Sequence, residues 1–148
     1  EMKEGCPGIV GMDVQCGMAS RAKSMAVSEN ALSANADWAG IFADNESSLA
    51  GAVQALKGRN NRKVKLVGID ASEQLIADLK EGWIDSLVVQ DPFKMGYASV
   101  KAIGETRKGN PVAARQDLPA KLILPSDLER NEVKELLFPD LKKWLGGA

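Results

Sequence analysis

The stretch KVKLVGIDAS, residues 63–72, constrains the chain more than any other. Its middle, residues 64–69, is an apolar run carrying one lysine and one glycine, which suits a strand buried in a parallel sheet. Asp70 ends the run. Two further apolar runs end alike: residues 38–43 run into Asp44 and Asn45, and residues 84–89 run into Gln90. In open α/β sheets, ligands sit outside the carboxyl ends of the strands. The pattern therefore delivers hydrogen-bonding side chains from three strands to one edge.

Helical periods lie between the runs. Residues 21–34 carry Ala22, Met25, Ala26 and Leu32, with Ser20 placed to cap them. Residues 46–57 carry Leu49, Ala52, Val53 and Leu56 at i, i+3, i+4, i+7. Residues 73–81 carry Leu75, Ile76 and Leu79, with Ser72 as N-cap and Gly82 as stop. Pro92 opens a helix that runs to about Lys108 and ends at Gly109. An earlier stretch, residues 9–15, predicts one more strand, interrupted by Gly11; residues 1–8 read as a loop or the end of a helix. Beyond Asn110, Pro111, Pro119 and Pro125 punctuate an extended segment with a strand candidate at residues 120–124. A helix over residues 128–137, capped by Ser126 or Asp127, is broken by Pro139, and residues 141–145 add a last turn. Strand and helix alternate four times, and right-handed crossovers then give an α/β fold: a doubly wound parallel sheet with helices on both faces.

Composition narrows the function classes. With 148 residues the chain is one domain by length, and a net charge of −1 with both signs interspersed is no nucleic-acid footprint or polybasic membrane patch. The apolar runs are far short of the ~20 residues a membrane helix needs. The chain has no histidine, which excludes Ser-His-Asp and Cys-His catalysis and any His-dependent metal site within it. No glycine-rich phosphate loop follows a strand; Gly146 and Gly147 lie at the far end. Asp44, Asp70 and Asp91 lack the paired acids that a metal-binding receiver domain places after its first strand. Cys6 and Cys16 flank residues 9–15, and six or more extended residues at ~3.3 Å each hold them apart. That argues for two small buried thiols and against a disulfide. The chain begins at Glu1 rather than Met and contains no signal peptide, as expected if an N-terminal piece has been removed.

Each strand-end residue also has a structural explanation. Asn45 or Asp44 suits a helix N-cap. Asp70 could cap through the turn at Ser72 or pair with a lysine. Gln90 is harder to account for, since a Gln at the end of a buried strand needs partners for both donors and acceptors. Taken together they suit hydroxyl recognition. A polyol hydroxyl both donates and accepts; Asp offers acceptors strengthened by charge, and Asn and Gln offer one group of each kind.

The segments IFADNESSLAGA (41–52), VGIDAS (67–72) and VVQDPFKMG (88–96) together resemble the carboxyl-terminal half of the ribose/galactose-type solute-binding proteins of ABC importers, a fold shared with LacI-type repressors. The resemblance spans residues 15–108, and residues 116–124 fit the closing strand. It implies ligand contacts from Asn45, Asp70 and Gln90, with Asp44 beside them. Ile69 stands where many members place Phe against the sugar, and Ala19 stands where ribose binders carry an aromatic. It implies no catalysis and no cofactor, a small-molecule sugar as ligand, importer membrane subunits as partners, and a periplasmic location, or an extracellular membrane-attached one in a Gram-positive. It also implies a division of the chain. Residues 1–90 form a sugar-binding lobe lacking its first strand and helix. Residues 91–112 form a crossover helix whose Phe93, Tyr97 and Val100 await an absent amino-terminal lobe or a second, domain-swapped copy. Residues 113–148 form a returning strand and C-terminal helix. The alternatives are the effector domain of a LacI-type regulator and a flavodoxin- or receiver-like protein with a phosphate or metal site.

Overall fold

A Ser or Asn hydroxyl or amide oxygen can accept the orphan N–H groups that open a helix, and three of the expected caps form in this way. In the computed structural model, which describes residues 5–145, Ser20 caps α1 (Arg21–Ala34), Asn45 caps α2 (Glu46–Gly58) and Ser72 caps α3 (Glu73–Lys80). Asp91 caps α4 (Pro92–Arg107). Gly82 and Gly109 follow α3 and α4 with φ of 75° and 79°, the left-handed conformation that glycine adopts without a Cβ clash.

Four strands form one sheet in the order β1 (Gly40–Ala43), β2 (Lys65–Ile69), β3 (Ser86–Val89), β4 (Lys121–Ile123). The first three are parallel, with Ile41 opposite Leu66 and Gly68 opposite Leu87; β4 returns antiparallel, with Ile123 opposite Leu87. Alternation then sorts the side chains. Ala43, Leu66, Leu87, Val89 and Ile123 are buried beneath Leu49, Val53 and Leu56 of α2 and Leu75 and Leu79 of α3. Val133 of α5 (Asn131–Leu137) belongs to the same core. The alternate residues stay more open: Phe42 is 65% exposed and Leu122 57%, with Val67, Ile69 and Val88 half-buried. α1 lies against α2, and the Trp38 indole N–H donates to the Ala31 carbonyl at 2.9 Å, tying the end of α1 to the approach of β1.

Three expectations need correction. Residues 9–15 form no strand, and Val10 and Val14 stand 84% and 97% exposed. A strand exists only through its ladder, and this segment has no paired neighbour among the described residues. Cys6 and Cys16 flank it and are exposed for the same reason, not buried. The helix expected over residues 128–137 is shorter. Pro125–Asp127 form a 3-10 turn, Asp127 accepts from the Leu124 N–H at 3.0 Å, and α5 starts only at Asn131. Leu141–Leu145 form the last short helix, α6. The expected loop at residues 1–8 falls outside the described residues over its first four, as do Gly146 and Gly147.

α4 has the expected span, yet none of its residues is buried. Tyr97, Val100 and Ile103 are 65%, 71% and 63% exposed.

Candidate functional site

Parallel pairing sets the three strand ends side by side. Continuing the register beyond the ladder puts Asn45 level with Asp70, with Gln90 one position past the end of the neighbouring strand. Neighbouring strands are ~4.8 Å apart, so the rim from β1 to β3 spans about 10 Å.

Asp70 and Gln90 meet directly. The Gln90 Nε2 donates to Asp70 Oδ1 at 2.8 Å, while the Asp70 backbone N–H donates to the Val88 carbonyl at 2.9 Å. Asp70 has φ of 75°, a left-handed backbone that costs an ordinary residue 1 kcal/mol or more, on the order estimated for strained functional positions. It does not cap α3, because Ser72 does so itself. Gln90 is exposed and Ile69 half-buried, both at the end of the more open sheet face or beside it.

Asp44 and Asn45 form a second pair, the Asn45 Nδ2 donating to Asp44 Oδ1 at 3.0 Å. The structural explanation for Asn45 is realised: its Oδ1 accepts from the Ser48 N–H at 2.9 Å and from the Ser47 hydroxyl at 2.8 Å. That oxygen is fully engaged, and one amide hydrogen is left without a partner among the described residues. No hydrogen bond links the two pairs among the described residues; they share an edge through the register alone.

Ala19 lies in the turn before α1, with no hydrogen bond to the other candidate residues among the described ones. Met18 and Ala19 both have positive φ, 55° and 51°, in a tight turn before α1. Two residues on, the Arg21 guanidinium pairs with the carboxylate of Glu46, the first residue of α2 and the neighbour of Asn45. The pair holds the turn beside the start of α2. No local pattern in the sequence marks Arg21 and Glu46 as partners, since 25 positions separate them.

Asp91 borders the rim on the other side. Its Oδ1 accepts from the Lys94 N–H at 2.9 Å, and its Oδ2 lies 3.1 Å from the Lys94 ammonium. These contacts, the backbone bond above all, hold its carboxyl below the usual range. From there a groove of about 390 Å³ runs between α4 and the returning segment, lined by Gln90, Asp91, Met95, Ala102, Val112 and Gln116. It touches the rim at Gln90 and at none of the other candidate residues.

The periplasmic binding protein domain matches residues 1–111. The ribose import binding protein of Haemophilus influenzae is 32% identical over 103 residues, which are 70% of this chain and 35% of that protein. A carbohydrate transporter solute-binding protein of Agrobacterium radiobacter, solved in complex with D-arabinose, superposes with a TM-score of 0.86 at 28% identity, covering 92% of this chain and 46% of that one. An ABC transporter solute-binding protein of Agrobacterium vitis, solved with α-D-tagatopyranose, has the same fold with a TM-score of 0.87 at 23% identity over 90% of this chain. The chain spans 35% of the Haemophilus protein and 45–46% of the two solved structures. With the family's pattern covering 111 of its 148 residues, the chain belongs to the periplasmic binding protein domain family.

Proposed function

We propose that this chain is the carboxyl-terminal, sugar-binding part of an ABC importer's solute receptor, a binding element with no catalytic step. The observation that carries the reading is the Asp70–Gln90 pair at the carboxyl ends of adjacent parallel strands, with Asp44 and Asn45 on the same edge. Both pairs are oriented by internal hydrogen bonds and keep outward capacity that a hydroxyl can satisfy. Such a rim rejects ligands lacking a matching hydroxyl, because its own polar groups would be left unpaired. Ile69 supplies the apolar contact beside it, and Ala19 leaves room where a ring would otherwise stack. The relatives named above are solute-binding proteins, which favours this reading over a LacI-type effector domain.

Residues 1–90 and 113–148 form the lobe, and α4 is a crossover whose exposed Tyr97, Val100 and Ile103 pack on a second lobe or on another copy of the chain. Gly96 and Gly104 lie on the same helix with open space where a Cβ would project, as a close backbone approach requires. A ligand clamped between two lobes stabilises the closed state, and the importer membrane subunits read that closure outside the cytoplasm. No helix among the described residues is long and apolar enough to cross a membrane.

One lobe offers about half the contacts. A receptor of micromolar affinity, about −8 kcal/mol, leaves about −4 kcal/mol to one lobe, a dissociation constant on the order of 1 mM. Titration of the 148-residue chain with pentoses and hexoses, followed by backbone amide shifts, should move the resonances of Asn45, Asp70 and Gln90 in that range. Micromolar binding by a monomer would overturn the division into lobes. No response from any sugar at the rim would overturn the carbohydrate reading.

A further inference from the structure

We propose that the rim discriminates by ligand charge, favouring a carbohydrate that bears a protonated amine and rejecting one that bears a carboxylate; the inference rests on the sugar-site reading above. Its basis is a count of what the rim has left to offer. Asn45 Oδ1 is filled by two donors, and one hydrogen of its amide is directed at Asp44. One hydrogen of the Gln90 amide is directed at Asp70. Two amide hydrogens therefore remain as donors. The acceptors remaining are more numerous: the second oxygens of Asp44 and Asp70, their spare lone pairs, and Gln90 Oε1.

The charges point the same way. Among the described residues, two cations paired next to the rim are engaged with other carboxylates, Arg21 with Glu46 and Lys94 with Asp91. Among the described residues, neither Asp44 nor Asp70 has an ion-pair partner. Each is held instead by a neutral amide, which orients the carboxylate and leaves its charge uncompensated. A neutral polyol meets such a rim by donating. A protonated amine brings three donors and an opposite charge. A ligand carboxylate brings no donor and is repelled by both side chains. At about 5 Å from each carboxylate, in a water-exposed setting at low salt, these terms amount to a spread on the order of a hundredfold in dissociation constant between cation and anion.

The test uses three hexoses that share a ring and differ in one group: D-glucosamine, D-glucose and D-glucuronate. They are titrated into the 148-residue chain near pH 6 and low salt, with amide shifts of residues 44, 45, 70 and 90 as readout. The expected order is glucosamine, glucose, glucuronate, with on the order of a hundredfold between the ends and compression at about 1 M salt, where the Debye length shrinks to about 3 Å. Asp70→Asn retains the shape and tolerates left-handed backbone; together with Asp44→Asn it should bring the three within about twofold. Binding of glucuronate as tight as that of glucosamine overturns the charge inference and leaves the sugar site standing. A preference that persists in the double variant places it elsewhere on the surface and overturns the inference too. Failure of all three sugars to shift the rim overturns the underlying reading, and the inference with it.

Discussion

A single substitution, Gly→Ala, should have opposite signs at two helix positions. In an exposed helix interior it stabilises by about 1 kcal/mol, through helix propensity and the lower entropy of the unfolded chain. Gly96, in α4, is such a place, with nothing within 4 Å of the Cβ it would gain. Gly51, in α2, is not. A Cβ there would stand 2.6 Å from the Met25 amide nitrogen and 2.8 Å from the Arg21 carbonyl oxygen, both backbone atoms of α1. Backbone cannot rotate away, so α1 must shift along its length. Overpacking of this kind costs about 1–3 kcal/mol, and rigid neighbours put Gly51 toward the upper end. Subtracting the propensity gain leaves Gly51→Ala destabilised by about 1–2 kcal/mol, and the two variants separated by about 2–3 kcal/mol. At roughly 2–4 °C per kcal/mol for a domain of this size, their melting temperatures should differ by about 4–12 °C. Circular dichroism melts and urea titrations measure both. If Gly51→Ala is as stable as Gly96→Ala, the two helices do not cross at backbone contact, and the placement of Arg21 beside Glu46 loses its support.

Three further outcomes follow from particular contacts. Asp78 has a side chain 1% exposed, held by the Lys57 ammonium at 2.6 Å and by Gln74 at 3.2 Å; Lys57→Met strands that carboxylate and should cost about 3 kcal/mol by urea titration, a loss under 1 kcal/mol refuting the pairing. Asn45→Ser retains a good N-cap and removes the side-chain amide, so stability should change by less than about 1 kcal/mol while sugar-induced shifts at the rim weaken; unchanged shifts would mean that Asn45 is only a cap. Asp91 is held below its ordinary value of 3.8, chiefly by the Lys94 N–H, so its stabilisation of α4 is present above that value and is lost as pH falls through the lowered one; protection of the Lys94 amide, measured against its intrinsic exchange rate at each pH, should fall only there, and a loss of protection near neutrality would refute the cap.

What the sequence discloses and what it hides divide along physical lines. Local signals survive folding: Ser20, Asn45 and Ser72 cap the helices expected of them, since a cap needs only its own next three residues. Three buried strands read correctly because their apolar runs are set by the core they enter. Residues 9–15 carry the same kind of signal and form no strand, because a ladder depends on a neighbour and not on propensity. The strand ends at Asp44, Asn45, Asp70 and Gln90 are legible for the reason that runs stop there. The Asp70–Gln90 bond and the Arg21–Glu46 pair are not, since the sheet register and the α1–α2 crossing create them.

The proposed sugar site predicts that the carboxylate of Asp70 answers to a ligand more than to the fold. Its φ of 75° belongs to the region glycine occupies freely. Asp tolerates that region better than most residues, yet still at a cost of about 1 kcal/mol. Asp70→Gly would release that strain. Against the release stand the added freedom of the unfolded chain, about 0.5–1 kcal/mol, and the bond from Gln90, whose exposure limits it to about 1 kcal/mol. The three contributions nearly cancel, so the variant should lie within about 1 kcal/mol of the parent in urea while its rim no longer answers to sugar. On the proposed sugar-site reading, a residue that adds so little to stability, in a backbone conformation another residue would fill more easily, is accounted for by what its side chain meets from outside. Should Asp70→Gly lose more than about 2 kcal/mol, the Asp70–Gln90 pair would be a clasp joining β2 to β3, and the strand-edge rim would need no ligand to explain it.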